Sequence, residues 1–516
     1  MKKYKFIIVE GVFVCCLLIY CVKGSFAALS LGNSKWGEIL PKKMSQEDKA
    51  FSKSLAHYTM GLIYDREGNL ETAIKEYKEA VGYDYNNTQV HLRLGSDYII
   101  VGNLQKAIEE FKNVKKIDPE DTKSRFLLAL IYTAQKKFTE ANSEYQEIIS
   151  IKPGDLNALT SLADLYVIQE NMVEAAKVYE KLLQTNKDSA LMHFNLGIIY
   201  SRLNKIDEAV KELKEAIRLK DDYVEAHLAL GVLYELKGQK NEAIACYEKA
   251  LLFDPLNVRI YHHLGEVYYR NDKIDESIHQ YELILKLNPK DLEAYVGLAY
   301  VYLKKKDPES AINIIRRAQS FGLDDFKLLL AIGFAYSLKE DYEKAIQAYN
   351  DVLKKEPTNA RAHFYLGTAY ERVNKKEAAI RQFRESIKFD PEMAEAYNYI
   401  GYMHAEEGTN LDEAMGLIKK ALELEPNSGA YLDSLGWVYY KKGMIDEAII
   451  YLEKARKIVG DDPVIVDHLG DAYDKKGEFD KAIKIWEECL KFNGDQAELK
   501  EKIKKEKEKL KVKNGK

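Results

Sequence analysis

Apolar and polar positions recur along the chain with a period of 34 residues. The phase is set by a Leu-Gly or Leu-Ala type pair followed three residues later by an aromatic. The small residue falls at Gly61, Gly95, Ala129, Ala163, Gly197, Gly231, Gly265, Ala299, Gly333, Gly367, Gly401, Gly436 and Gly470, and every interval is 34 except the one after Gly401, which is 35. With this residue numbered position 8 of its repeat, position 11 is Tyr in twelve of thirteen copies, from Tyr64 to Tyr473, with His404 the exception. Position 20 is Ala in twelve, with Ser277 the exception, and position 24 is aromatic in nine, including Tyr77, Phe111, Tyr247, Phe383 and Trp486. Proline closes seven copies at position 32, from Pro119 to Pro426.

Each position predicts part of an antiparallel helix pair. Small residues at positions 8 and 20 let the two helices of a pair approach closely. Aromatics at positions 11 and 24 are expected to fill the wedge between neighbouring hairpins. Gly68, Gly102, Gly238, Gly408, Gly443 and Gly477 fall where the chain turns between helices, and a residue able to take positive φ is favoured there. The closing proline stops the second helix, because it has no amide hydrogen and restricts the residue before it.

This pattern resembles the tetratricopeptide repeat, in thirteen tandem copies over residues 54–496. The resemblance implies an all-α fold, a right-handed superhelical solenoid of antiparallel helix pairs. It also implies that the first helix of each pair lines a concave groove that binds proteins or peptides, without catalysis.

Two departures stand out. Repeat 8 lacks the closing Pro, ending Gly322-Leu323-Asp324, and carries Asp307-Pro308 as a cap and first-turn proline for its second helix. Its junction with repeat 9 is the candidate place for a change in curvature. The extra residue of repeat 11 lies near Thr409-Asn410, in the inter-helix turn, where insertion costs least. After residue 496, Leu499, Ile503 and Leu510 recur at helical spacing in a Lys/Glu-rich stretch. Residues 497–516 are therefore expected to form a helix that caps the last repeat.

Composition adjusts this picture at the edges. A length of 516 residues would ordinarily suggest three or four domains, but 443 of them fall in one continuous array. Half of the 36 tyrosines are explained by it, twelve at position 11 and six at position 24. Formal charge is −5, against a nucleic-acid-binding role, which needs a basic footprint. Residues 1–27 read as an export signal: Lys2, Lys3 and Lys5, an apolar stretch from Phe6 to Val22 interrupted by Glu10, and the small-x-small site Ser25-Phe26-Ala27. Three fates stay open. The segment is cleaved before Ala28, retained as an anchor that associates with a membrane, or lipidated at Cys21, although Tyr20 stands where a lipoprotein box needs a small residue. Each places the bulk outside the cytoplasm, in the periplasm or cell envelope. Residues 28–53 form a linker or leading helix. Cys246 and Cys489 lie in widely separated repeats, too far apart in a linear array to pair.

Outside the repeats there is too little chain for a catalytic domain of roughly 100 residues, and no phosphate-cradling Gly loop or nucleophile elbow occurs. No cofactor is expected. His57, His91, His193, His227 and His363 share position 4, which invites a metal ladder. Tyr261, Tyr295 and Tyr397 occupy the same place, so position 4 is better read as a seat for a bulky amphipathic side chain, and no metal site is expected.

In the repeat family, positions 2, 5, 9, 12 and 13 face the groove. Carried over to this chain, positions 5 and 9 offer apolar pairs: Phe126 with Leu130, Phe194 with Ile198, Leu228 with Val232, and Leu330 with Phe334. Such a stripe suits an apolar or amphipathic segment, unless tighter packing buries it. Nearer the C-terminus the same positions turn amide, aromatic and acidic: Asn398, Tyr402, Asp433, Trp437, Tyr440, Asp467, Asp471 and Asp474. They suit a basic partner, with Trp437 as an anchor, or else simply keep the terminal repeats soluble. Basic residues at position 13, such as Arg202, Lys304 and Lys441, are expected to complement the negative C-terminal end of the first helix. The paired Lys and Asn at positions 5 and 9 that clamp a C-terminal carboxylate occur in no copy. The sequence thus points to a non-catalytic protein-interaction scaffold of the bacterial envelope. The alternative is an accessory subunit that recruits an envelope enzyme, such as a glycosyltransferase or polysaccharide-export complex.

Overall fold

A computed structural model describes residues 45–493 and 497–514. The signal and most of the linker lie outside the described residues, as do the side chains of Cys489 and Leu510. The described residues form twenty-seven helices and no strands. The first helix, Gln46–Arg66, opens with a capping box in which Ser45 and Asp48 bond each other's amides. From there the helices alternate with the 34-residue period, a first helix of typically 13 residues and a second of 14, as in Thr88–Ile100 with Leu104–Ile117.

Local chemistry sets the boundaries. The last residue of one repeat caps the first helix of the next: Asn87, Asp121, Asp155, Ser189, Asp291 and Asn359 each accept a backbone N–H from three residues on. At the turn within each pair the chain passes through the left-handed region. Gly408 does so at φ 68°, and seven copies place a residue with a side chain there: Lys136, Glu170, Asn204, Asp272, Lys306, Glu340 and Asn374, with φ from 55° to 61°. The inserted residue of repeat 11 is absorbed in this turn, where Asn410 also takes positive φ, 46°. In repeat 8, Asp307 accepts the Ser310 amide at 3.0 Å, and Pro308 is the first residue of the helix Pro308–Ser320.

Packing within a hairpin explains positions 8, 20 and 24 together. The alanine at position 20 is fully buried in all twelve copies, and Ser277 keeps the place by donating its hydroxyl to the Gly265 carbonyl at 2.7 Å. Where position 24 is aromatic, its ring packs directly against the backbone of position 8 in its own hairpin: a Cβ on Gly367 would stand 2.7 Å from Cε1 of Phe383. That ring also reaches the next repeat, as Tyr349 stacks on Tyr365 at 5.8 Å. Position 24 therefore fills the hairpin interior as well as the expected wedge.

Neighbouring repeats are joined by polar contacts as well. Position-11 hydroxyls donate backwards, Tyr166 to Asn142 at 3.2 Å and Tyr200 to Glu180 at 2.7 Å. Lys304 at position 13 donates to the Tyr269 carbonyl of the preceding first helix at 2.7 Å. The dipole complementarity expected at position 13 is thus exerted on the neighbouring repeat's helix end. A ladder unread in the sequence runs beside it. Lysines at position 14 pair with an acid at position 18 of the repeat before, as Lys237–Asp207 at 2.6 Å, Lys305–Asp275 at 2.8 Å and Lys476–Asp446 at 2.7 Å.

The described residues resolve into two compact units that meet in sequence between residues 255 and 256. The first holds six helix pairs around a core from Ala73 and Tyr77 through Leu228 and Ala250. The second holds seven pairs and the closing helix Ala497–Asn514. Leu499 and Ile503 of that helix are buried, 34 residues beyond Ile465 and Leu469 of repeat 13, so the helix keeps the register of a further first helix.

Candidate functional site

The histidines of position 4 are stitches. His91 lies with Nδ1 2.5 Å from Glu110 and Nε2 2.8 Å from the Tyr85 carbonyl. His193 repeats this with Glu212 and the Lys187 carbonyl, and His363 with Gln382 and the Pro357 carbonyl. Each ring ties the loop before its repeat to the second helix, so its nitrogens are occupied by its own hairpin and the loop that leads into it. Among the described residues no group of three or more His, Cys, Asp or Glu side chains is placed to hold a metal.

The apolar pairs at positions 5 and 9 are only partly open. Phe126, Phe194, Ile198, Val232, Leu330 and Phe334 are half-buried, while Leu130 and Leu228 are buried. Phe126 leans edge-on against Tyr145 of its own hairpin at 5.9 Å, whereas Phe194 packs tilted against Tyr223 at 5.0 Å and Phe334 tilted against Tyr365 at 5.9 Å. Position 13 is where the first helices expose apolar surface: Ile100 is 50% exposed, Ile168 46%, Leu236 69% and Leu338 42%. Sequence reasoning missed these because basic residues at position 13 in other copies drew the eye. The signal was present, since seven copies carry a cation there and four an isoleucine or leucine, with Ala134 and Glu406 in the other two.

The C-terminal set comes together as a network. Asp433, 5% exposed, meets Nδ1 of His468 at 3.0 and 3.1 Å. His468 stacks on Trp437 at 4.0 Å with an interplanar angle of 15°, and Tyr440 stacks on the same indole at 4.7 Å and 3°. The Trp437 indole N–H donates to Glu406, and the Lys441 ammonium lies 4.8 Å from its ring centre. Only 8% of Trp437 stays exposed, which makes it a packed hub rather than a protruding anchor. Tyr402 is half-buried against the same cluster, and Asn398, one turn earlier on its helix, is half-buried too. Burial, then Glu406 and Asp433, push the Tyr402 hydroxyl up to about 12.

Asp467 and Asp471 are brought together by the chain itself. Lys502 of the closing helix donates to them at 2.5 and 2.7 Å. Burial raises the Asp471 carboxyl above its ordinary range against the pull of Lys502. The acidic end of the face is thus already engaged by a lysine presented on a helix, and Asp474 lies half-buried beside it.

Family models agree with this architecture. Models described as tetratricopeptide repeat match residues 55–87, 92–156, 158–191, 263–325, 366–430, 430–458 and 467–496, and one described as TPR repeat matches 199–238, 236–272 and 333–374. A search of curated proteins returns no match. Among solved structures, the chain is similar to the APC/C hetero-tetramer Cut9-Hcn1, with 13% identity, 90% of this chain and 96% of that one covered, and a TM-score of 0.44. It is also similar to Naa15/Naa10 bound to HypK-THB, at 16% identity over 86% and 68% of the two chains and TM-score 0.38. A tetratricopeptide repeat protein from Parabacteroides merdae shows 16% identity over 48% and 98%, with TM-score 0.36. With repeat models spread along most of its length on a scaffold of consecutive helix pairs, the chain belongs to the tetratricopeptide repeat family.

Proposed function

We propose that this protein is an exported, non-catalytic scaffold of the bacterial envelope that holds partner proteins or peptides against the exposed face of its first helices. The observation that carries this reading is the set of exposed apolar side chains at position 13, Ile100, Ile168 and Leu236 in the first unit. Isolated apolar residues on a surface are ordinary. Here they recur at one register position, and half-buried Phe126 and Phe194 lie on the first helices between them, Thr122–Ala134 and Ala190–Arg202. A surface of that kind fits an apolar or amphipathic segment. The export signal supports the envelope assignment, and no helix among the described residues is long and apolar enough to cross a membrane.

The test is photocrosslinking from position 168 in the full chain expressed in its own cell, with Ile168→Asp as competitor variant. The reading expects a discrete partner crosslinked from position 168, and at least tenfold weaker recovery of it when Ile100 and Ile168 are both replaced by Asp. No crosslink from position 168, or unchanged recovery by the double variant, would overturn it. A second reading, an accessory subunit of an envelope enzyme such as a glycosyltransferase or polysaccharide-export complex, is favoured if the recovered partner is a catalytic subunit in stoichiometric amount.

A further inference from the structure

Position 10 of the repeat faces the preceding hairpin and is apolar in every copy but one, from Ile63 to Ala472. Its side chain is buried wherever a hairpin precedes it, with Ile131 fully buried and Leu165, Ile199 and Leu233 at 1% to 3% exposure. In repeat 2 the residue is Asp97. It stays in register, 2% exposed, and its Oδ2 finds no hydrogen-bond partner. The Tyr77 hydroxyl, on the second helix of repeat 1, is likewise fully buried and unpartnered.

The groups that face Asp97 are few. Asp65 comes from the first helix of repeat 1, Tyr77 from the second, with Tyr58 behind it against the Tyr77 ring, and Arg93 from its own helix. Arg93 stands 4.0 Å from Asp65, so its charge is shared with another carboxylate. A carboxylate in such a place has lost its water, has gained no full partner and faces a second negative charge; a neutral carboxylic acid feels no charge repulsion and has far less hydration to lose.

We propose that Asp97 makes the junction of repeats 1 and 2 a proton-operated joint, tight while the carboxyl is neutral and loosened when it ionises. Burial, followed by Asp65, raises the carboxyl to about 7. An unfolded Asp titrates near ~3.9, so between that value and about 7 the closed junction holds a proton that the open one has released. Stability of the joint is therefore fully present below ~3.9, falls as pH rises through this window, and levels off above about 7. Opening would part the first helices that carry Tyr58 and Asp65 on one side and Ile99 and Ile100 on the other, which couples proton binding to that end of the interaction face.

Hydrogen exchange of the full chain tests this, comparing wild type with Asp97→Asn between pH 4.5 and 7.5 after correction for intrinsic rates. Asn is nearly isosteric with the neutral acid and does not titrate. The opening constant for amides of residues 46–83, taken as the ratio of wild type to Asp97→Asn, should rise by about tenfold per pH unit up to pH 6.5, then flatten. A flat ratio across the range overturns the proposal. Asp97→Ile, which restores the residue type of other copies, should protect the same amides better than wild type at pH 7.5 by at least tenfold. Equal or poorer protection in that variant also counts against the joint.

Discussion

Replacing Trp437 by Ala separates two meanings of an aromatic on the first-helix face. Were Trp437 an exposed anchor, the change would weaken a partner and leave the fold untouched. The structure gives it another role: 8% exposed, sandwiched into contact with His468 and Tyr440, its N–H on Glu406. A buried Trp side chain removes on the order of 200 Å² from water, worth about 5 kcal/mol at 25 cal/mol/Å² as an upper estimate. Truncation of core Trp or Phe to Ala costs about 3–5 kcal/mol, and here Glu406 and the Asp433–His468 pair would also lose their packing partner. Because each repeat contacts only its neighbours, the loss should be confined to repeats 11–13. Hydrogen exchange by mass spectrometry should show amides between residues 394 and 476 losing about hundredfold or more in protection, while residues 45–255 exchange as before. Unchanged protection in repeats 11–13, combined with loss of a partner, would refute the packing argument and restore Trp437 to the role of an anchor.

Three further outcomes follow from named contacts. Glu340, at φ 60°, holds a left-handed conformation that costs an L-residue roughly 1–2 kcal/mol, so Glu340→Gly should stabilise by about 0.5–1 kcal/mol after the greater unfolded-state entropy of Gly, seen as a higher Tm; a lower Tm would contradict the turn argument. His91 is desolvated by burial, yet Glu110, the Tyr85 carbonyl and Asp84 together raise it above its ordinary 6.5. Its stabilisation is therefore present below that value and lost as pH rises through the raised one, and His91→Gln should flatten the pH dependence of urea unfolding in that range. Ile503→Asp places an unpaired charge at a site 7% exposed and should free the closing helix, making residues 497–514 cleavable by protease at concentrations that leave wild type intact.

Most of the fold was legible in the residues, because a period of 34 with small, aromatic and Ala positions is a statement about which faces must meet. The start of the second helix of repeat 8 was legible through Asp307-Pro308, and the absorbed insertion through Thr409-Asn410. What the sequence could not supply is how polar groups choose partners across repeats. Lys502 taking Asp467 and Asp471, and Asp433 taking His468, each join residues about 30 to 35 apart, a separation at which many alternatives exist until the hairpins stack. Nor does register by itself reveal exposure: positions 5 and 9 seemed the open apolar stripe, yet rings such as Tyr145 and Tyr365 lean across them and leave position 13 in water. The sequence by itself determined the repeat, its helix pairs and the glycine turns and closing prolines that end them, since these depend on contacts within about 34 residues. Tertiary structure alone decided which of the candidate side chains are spent on packing and which stay free, because burial depends on the neighbouring repeat's shape as much as on a residue's own position.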